Sequence, residues 1–192
     1  MSYDFYAFLS RMKYIKRWSL MHSTLEENIM EHTQQVTVIA HALAVIKNTY
    51  FGGNVNVEKV LLLALYHESG EVITGDLPTP IKYFNDEIKS AYKDLEKHAC
   101  EKLLNKLPCE LKEIYGEIVL PDTNCLEAKI VKYADRISAL IKCIDELKVG
   151  NNEFKKAKIS IEKEIKLIDS PEVNYFIKNF LPAYEKTLDE LD

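Results

Sequence analysis

The chain has 192 residues, of which 47% are hydrophobic and 29% are charged, and its formal net charge is −5. That length and composition are typical of one globular domain, and the acidic balance argues against a partner such as duplex nucleic acid. The longest apolar run, Val60 to Tyr66, is far short of the roughly 20 residues that a membrane-spanning helix needs, so no membrane partner is expected.

Almost every predicted element is a helix, because the glycines and prolines fall mostly between segments with helical periodicity. The first helix is predicted over roughly residues 4–16, and the segment RWSLMHSTLEEN after it predicts a loop with an exposed Trp18. Asn28 begins the next helix, with Glu31 three residues later as the reciprocal partner of a capping box.

Asn56, after the FGGNVN turn, predicts the start of a helix over roughly residues 57–71, and Gly150 predicts the end of a later one. The sequence therefore predicts an all-α fold, a single-domain helical bundle over residues 1–192. The remaining helices are predicted over roughly residues 84–107, 110–118, 124–149, 152–168 and 172–190.

The cysteines indicate a reducing compartment. They form no C-x-x-C pair, and no apolar signal peptide precedes them, so we expect reduced thiols in a cytoplasmic protein. The four are Cys100, Cys109, Cys125 and Cys143.

His32 is the first residue that could carry chemistry. It shares a helical stripe with Ile29, Val36 and Ile39, which directs its imidazole toward the core. Taken alone, a histidine at such a position is more often a core residue bonded to a backbone carbonyl, so it proves nothing by itself.

The stretch LLLALYHESGEVITGDLPTP holds the second group of candidates. If the helix continues, His67 and Glu71 are four residues apart and share a face, and the apolar run before them makes this helix central. Carboxylates at the end of a helix oppose its macrodipole, and a bound metal would remove that penalty. The alternative is a solvated helix end.

Asp135 is the third candidate, because it lies in a long helix between apolar and small neighbours. Its alternative role is an ion pair with Arg136 or a surface lysine. Together, His32, His67, Glu68 and Asp135 would supply two imidazoles and two carboxylates from three helices. That set suits a borderline divalent ion with open positions for water.

The order of these residues resembles the HD-domain metal phosphohydrolases. Within that superfamily, segments spread over most of the chain resemble the bacterial HD-domain 5′-deoxynucleotidases. The TGDLPTP loop and the GNNEF turn are more specific to this group than the bare metal ligands. The segments are RMKYIKRWSLM, ENIMEHTQQV, FGGNVN, LYHESGEVITGDLPTPIKYFN, KYADRISALIKC and GNNEF.

The resemblance implies hydrolysis of deoxyribonucleoside 5′-monophosphates by a homodimer with a divalent cation, cobalt or manganese being expected. It also assigns roles to residues of this chain. Glu71 would be the catalytic acid or base, Arg17 would hold the phosphate, and Trp18 and Asp76 would contact the sugar. Thr79 would lie near the phosphate or the water on the metal. The implied metal ligands are His32, His67, Glu68 and Asp135.

One position departs from the family pattern, since His-Asp is replaced here by His67-Glu68. The added methylene lengthens the side chain by about 1.5 Å. Glu68 must therefore fold back, bind through both oxygens or shift its backbone. Metal affinity could be kept with a changed ion preference, weakened with activity retained, or lost.

The departure leaves two alternatives open. One is a degenerate HD-domain protein that binds a nucleotide or a partner without turnover. The other is an enzyme for other phosphomonoesters or a nucleoside triphosphate. For individual residues, Glu71 could instead form a salt bridge to a lysine, and Trp18, the candidate for excluding a 2′-hydroxyl, could instead anchor its loop.

Overall fold

The structure is a computed structural model that describes residues 2–191. Within that range the only strand-like pairing is an isolated antiparallel bridge between Lys16 and Asn28, so the predicted all-α fold is confirmed. No helix in this part of the chain is long and apolar enough to cross a membrane. The α-helices are α1 (Phe5–Leu9), α2 (Ile29–Tyr50), α3 (Val57–Tyr66), α4 (Glu71–Thr74), α5 (Thr79–Lys82), α6 (Asp86–Leu104), α7 (Cys109–Val119), α8 (Leu126–Lys148), α9 (Lys155–Lys166) and α10 (Pro171–Asn179).

The main core lies where α2, α3 and α8 meet, with α9 and α10 packed on its flanks. Ile39 and Leu43 of α2, Leu63 of α3 and Ile141 of α8 are almost fully buried in it. Each such side chain stabilises the fold by roughly 1.5–3 kcal/mol. A second, smaller core joins α1, α6 and α7. The two longest helices, α2 and α8, therefore pack side by side in the main core.

The caps predicted for α2 and α3 are confirmed. The Asn28 side chain accepts from the amide of Glu31, and the Glu31 carboxylate accepts from the amide of Asn28. Asn56 accepts from the amide of Lys59. Gly150, at φ +87°, ends α8 in the left-handed conformation that glycine tolerates.

The predicted helix over 57–71 is wrong, because the chain leaves α3 after Tyr66 and turns before α4 begins at Glu71. Both the amide and the hydroxyl of Ser69 donate to the Tyr66 carbonyl, at 3.0 and 2.7 Å. These bonds take the place of the backbone hydrogen bonds that would continue the α-helix. Gly70 then lies against α6, where a Cβ would meet the Cys100 sulfur at 3.0 Å.

Three other predicted helices are shorter or less regular than expected. The first passes into a 3-10 helix over Ser10–Tyr14, and Asn152–Phe154 form a 3-10 turn before α9. α10 stops at Asn179, where the prediction continued to 190. Pro182 has no N–H to extend the ladder, and the chain continues in 3-10 turns.

Candidate metal centre

Four side chains meet at one point between α2, α8 and the turn after α3. His32, His67, Glu68 and Asp135 each offer one ligand atom, and these atoms lie within 4.8 Å of one another. The Nε2 atom of His32 is 3.1 Å from Asp135 Oδ1 and 3.7 Å from Glu68 Oε1. The predicted convergence of three chain segments is therefore present, with Glu68 reaching the cluster from a turn and not from a helix.

The two imidazoles direct free nitrogens into this cluster. The Nε2 atoms of His32 and His67 are buried and make no hydrogen bond. The Nδ1 atom of His67 is 2.7 Å from the Ala64 carbonyl, which can only accept, so the lone pair of this ring lies on Nε2. Buried nitrogens without a partner, next to two carboxylates, fit a divalent cation.

The charges also suit a cation. Burial, together with the Arg17 guanidinium, lowers the pKa of His32 and favours a neutral ring. Burial opposes ionisation of Glu68, but the two histidines outweigh it and lower the pKa of this carboxyl. Burial also opposes ionisation of Asp135, but the close contact with His32 outweighs it and lowers the pKa of this carboxyl. Neutral imidazoles and ionised carboxylates are the forms in which these residues bind metals.

Asp135 does not use the alternative partner considered above. Arg136 points away from it and forms an ion pair with Glu164 of α9, at 3.4 Å. Asp135 is thus left with His32 as its close partner.

Glu71 begins α4 beside the cluster and is buried. Its Oε1 lies 3.0 Å from Lys82 Nζ, so the lysine salt bridge considered as an alternative is present. Lys82, the last residue of α5, is also 3.7 Å from Asp76 Oδ1. Burial and the nearby Glu68 raise the pKa of Glu71 to about 9, against the opposing effect of Lys82. Burial likewise raises the pKa of Asp76.

Arg17 and Trp18 share one partner that the sequence did not reveal. Glu27 Oε2 accepts from Arg17 Nη1 at 3.0 Å and from Trp18 Nε1 at 2.9 Å. The backbone brings them together, since the Arg17 amide donates to the Glu27 carbonyl at 2.9 Å. The arrangement positions a guanidinium and an indole at the edge of the cluster.

Trp18 is half-buried, so the expectation of an exposed side chain is wrong. Its ring packs on Phe154, with 5.3 Å between ring centroids. Its backbone has φ +60°, a left-handed conformation that is strained for a bulky residue. The surrounding contacts therefore hold this residue in place.

Glu146 ties the tip of the same loop to α8. This fully buried carboxylate accepts from the amides of Thr24 and Leu25, from Lys142 and from Asn151. Asn151 belongs to the GNNEF motif. Its side chain donates to Glu146 and to the His22 carbonyl, so the motif helps to hold this loop against α8. In the sequence Glu146 stands between Asp145 and Leu147, in the charged run KCIDELK, which gives no signal of this role.

Thr79 occupies the first position of α5 and is exposed. Its helix ends with Lys82, which faces Glu71, so the loop with Asp76 and Thr79 borders the cluster. Among residues 2–191, no hydrogen bond joins the Thr79 side chain to the four clustered residues.

The chain is similar to proteins of one named family along nearly its whole length. Residues 4–184 match the profile of the family described as 5′-deoxynucleotidase YfbR-like. The 5′-deoxynucleotidase YfbR of Salmonella typhi is 49% identical over 190 residues, which cover 97% of this chain and 94% of that protein. The YfbR protein of Shigella boydii serotype 18 is 48% identical over 188 residues, with the same coverage.

Solved structures share the fold. An HD-domain phosphohydrolase from Listeria innocua superposes with a TM-score of 0.84 at 26% identity, covering 94% of this chain and 88% of that one. The HD phosphohydrolase DatZ of cyanophage S-2L, bound to dA and one catalytic Zn²⁺ ion, gives a TM-score of 0.64 at 24% identity. That comparison covers 95% of this chain and 96% of DatZ, and it supports the fold alone.

Proposed function

The chain belongs to the 5′-deoxynucleotidase YfbR-like family, and from that premise we propose that it hydrolyses deoxyribonucleoside 5′-monophosphates to deoxynucleoside and phosphate. We assign the binding of a divalent cation to His32, His67, Glu68 and Asp135. The observation that carries this assignment is the meeting of their four ligand atoms within 4.8 Å, with two imidazole nitrogens left unbonded.

A divalent cation, when bound, neutralises phosphate charge and makes a water molecule more acidic. Arg17 is the residue that we assign to the phosphate. Its guanidinium borders the cluster and can donate two parallel hydrogen bonds to phosphate oxygens. Burial works against its charge, but nearby carboxylates, Glu27 foremost, raise its pKa.

Glu71 is our candidate for proton transfer. Burial and the nearby Glu68 raise the pKa of this carboxyl, which favours uptake of a proton that Glu71 can donate to the 5′ oxygen as the P–O bond breaks. Lys82, at 3.0 Å, holds the carboxyl in one position. Once ionised, Glu71 can orient the next attacking water.

Asp76 and Trp18 are our candidates for the sugar, and Thr79 for the phosphate side of the same loop. A half-buried indole fixed by Glu27 and Phe154 makes a rigid wall, which can reject a 2′-hydroxyl by leaving it neither room nor partner. Pro78 and Pro80 restrict the loop that carries Asp76 and Thr79.

The identity of the cation, the domain organisation, the cellular location and the oligomeric state are also proposals. We propose cobalt or manganese as the cation, one domain over residues 1–192, a cytoplasmic location and a homodimer. The free cysteines are consistent with a reducing compartment, and the single helical bundle with one domain. Size-exclusion chromatography with light scattering tests the homodimer.

The test of the function is phosphate release after chelation, with Co²⁺ or Mn²⁺ added back. The substrates are dAMP, AMP, dATP and a simple phosphomonoester, and Glu68→Asp is assayed alongside. We expect cation-dependent release, fastest with dAMP. If the parent chain releases no phosphate and the Glu68→Asp variant does, the result would instead support a binding protein without turnover.

A further inference from the structure

A hydrogen-bonded chain runs behind His32, on the side away from the cluster. His32 Nδ1 lies 3.1 Å from Ser138 Oγ, and Ser138 Oγ donates to Gln35 Oε1 at 2.6 Å. His32 and Ser138 are fully buried. Gln35 lies one turn from His32 on α2, and Ser138 lies one turn from Asp135 on α8, so the chain crosses the interface between the two helices.

The direction of these bonds determines which nitrogen of His32 carries the proton. A serine hydroxyl has one proton, and here it goes to Gln35, so Ser138 offers only lone pairs to Nδ1. Ser138 therefore favours the proton on Nδ1, which leaves the lone pair of the ring on Nε2. His67 reaches the same state by donating from Nδ1 to the Ala64 carbonyl.

We propose that Ser138, backed by Gln35, is a positioning residue that fixes His32 in the tautomer able to bind the cation. This inference rests on the proposed function, because it concerns the same site. Partners on the outer nitrogen of a metal-binding histidine set its tautomer and ring orientation in this way.

The hydrogen bonds from His32 through Ser138 to Gln35, here called the relay, are needed because of Arg17. Its Nη1 lies 2.5 Å from the same Nδ1 atom, and a guanidinium can only donate. Arg17 therefore favours the proton on Nε2, as does Asp135, whose Oδ1 lies 3.1 Å from that nitrogen, whereas Ser138 favours it on Nδ1. Without Ser138 the contacts from Arg17 and Asp135 are unopposed, and the protonated Nε2 has no lone pair for a cation.

The test is a Co²⁺ titration of the full-length protein without substrate, followed by the visible absorption of the bound ion. We expect Ser138→Ala to raise the Co²⁺ Kd by about 10- to 100-fold. The matched control, Ser160→Ala, removes an exposed hydroxyl on α9 and should bind Co²⁺ like the parent. Circular dichroism verifies that each variant folds.

Gln35→Glu tests the direction of the relay, because a carboxylate can only accept from Ser138. We expect it to keep the parental Co²⁺ affinity. In metal-free protein, ¹⁵N NMR of the His32 ring should give a protonated Nδ1 in the parent and a protonated Nε2 in Ser138→Ala.

Two results overturn the relay: parental Co²⁺ affinity in Ser138→Ala, or a loss in Gln35→Glu as large as that in Ser138→Ala. A parent that binds no Co²⁺ overturns both the relay and the proposed metal site. Tight Co²⁺ binding that weakens in Ser138→Ala, with no phosphate release from any substrate, supports the relay and overturns only the proposed function.

Discussion

Lys82 and Glu71 form a partly buried ion pair, with 3.0 Å between Nζ and Oε1, beside the cluster of His32, His67, Glu68 and Asp135. The pair joins α5 to the first residue of α4, and Lys82 reaches Asp76 from the same position. One ammonium thus contacts both carboxyls that we assign to proton transfer and to the sugar.

The first prediction concerns Lys82→Met. Lys82 lowers the pKa of Glu71, so its removal should raise that pKa further. The limb of the pH–rate profile that reports Glu71 should therefore move to higher pH, as measured by kcat for dAMP from pH 5 to 10. Lys89→Met, at an exposed lysine of α6, should leave the profile unchanged. A limb displaced to lower pH would contradict the role of Lys82.

The second prediction concerns Glu27→Gln. The amide keeps one acceptor but loses the charge that faces Arg17. Hydrogen bonds to charged groups contribute about 1.5–3 kcal/mol of stabilisation each. We expect kcat/KM for dAMP to fall by roughly 10- to 100-fold, mainly through KM, while the Co²⁺ affinity stays unchanged. Fluorescence of Trp18, the single tryptophan, should also change. Glu26→Gln, at an exposed neighbour, is the control, and equal effects in both variants would contradict the prediction.

The third prediction concerns Trp18 and the choice between deoxyribose and ribose. Trp18→Ala removes the wall, and the preference for dAMP over AMP should fall by about tenfold or more, equivalent to about 1.4 kcal/mol. Trp18→Phe keeps a ring against Phe154 and should retain most of the preference. The measurement is the ratio of kcat/KM values, with exposed Tyr14→Ala as the control. An unchanged ratio in Trp18→Ala would assign the residue to loop anchoring alone.

The fourth prediction concerns Glu146 and acid stability. Burial raises the pKa of this carboxyl, but the bonds from Lys142, Asn151 and two backbone amides outweigh it and hold the pKa at about 2, below the ordinary 4.5. Its contribution to stability is therefore fully present above pH 4.5 and is lost as the pH falls toward 2. Glu146→Gln should lower the free energy of unfolding by about 3–5 kcal/mol at pH 7, by analogy with breaking a buried ion pair.

Urea unfolding of the parent and Glu146→Gln at several pH values measures this difference, which should narrow between pH 4.5 and 2. Hydrogen exchange at the Thr24 and Leu25 amides should accelerate in the variant, since both donate to Glu146. Glu153→Gln is the control, because this exposed carboxylate accepts only a 3.2 Å bond from the His22 amide. A constant difference across the acid range would contradict the prediction.

The sequence predicted the long helices and their caps because these depend on local features. The spacing of Asn28 and Glu31, and the apolar stripe that includes Ile39, fix α2 without reference to the rest of the fold. The end of α3 was not predictable in the same way. It depends on Ser69 competing for the Tyr66 carbonyl and on Gly70 fitting against α6, and the second of these is a tertiary contact.

The convergence of His32, His67 and Asp135 was predictable because buried polar residues on central helices need partners. Their supporting residues were not predictable. Glu27 and Glu146 contact residues 9 and 122 positions away, respectively, only when the loop is folded onto α8, and Ser138 has the sequence surroundings of an ordinary small helix residue.

Residues 70 and 100 share a fixed volume where the turn after α3 meets α6. A methyl group at position 70 would already crowd the Cys100 sulfur. A larger side chain at position 70 therefore requires a smaller one at position 100. We therefore expect evolutionary drift to change the two positions together, with larger side chains at 70 accompanied by alanine or glycine at 100.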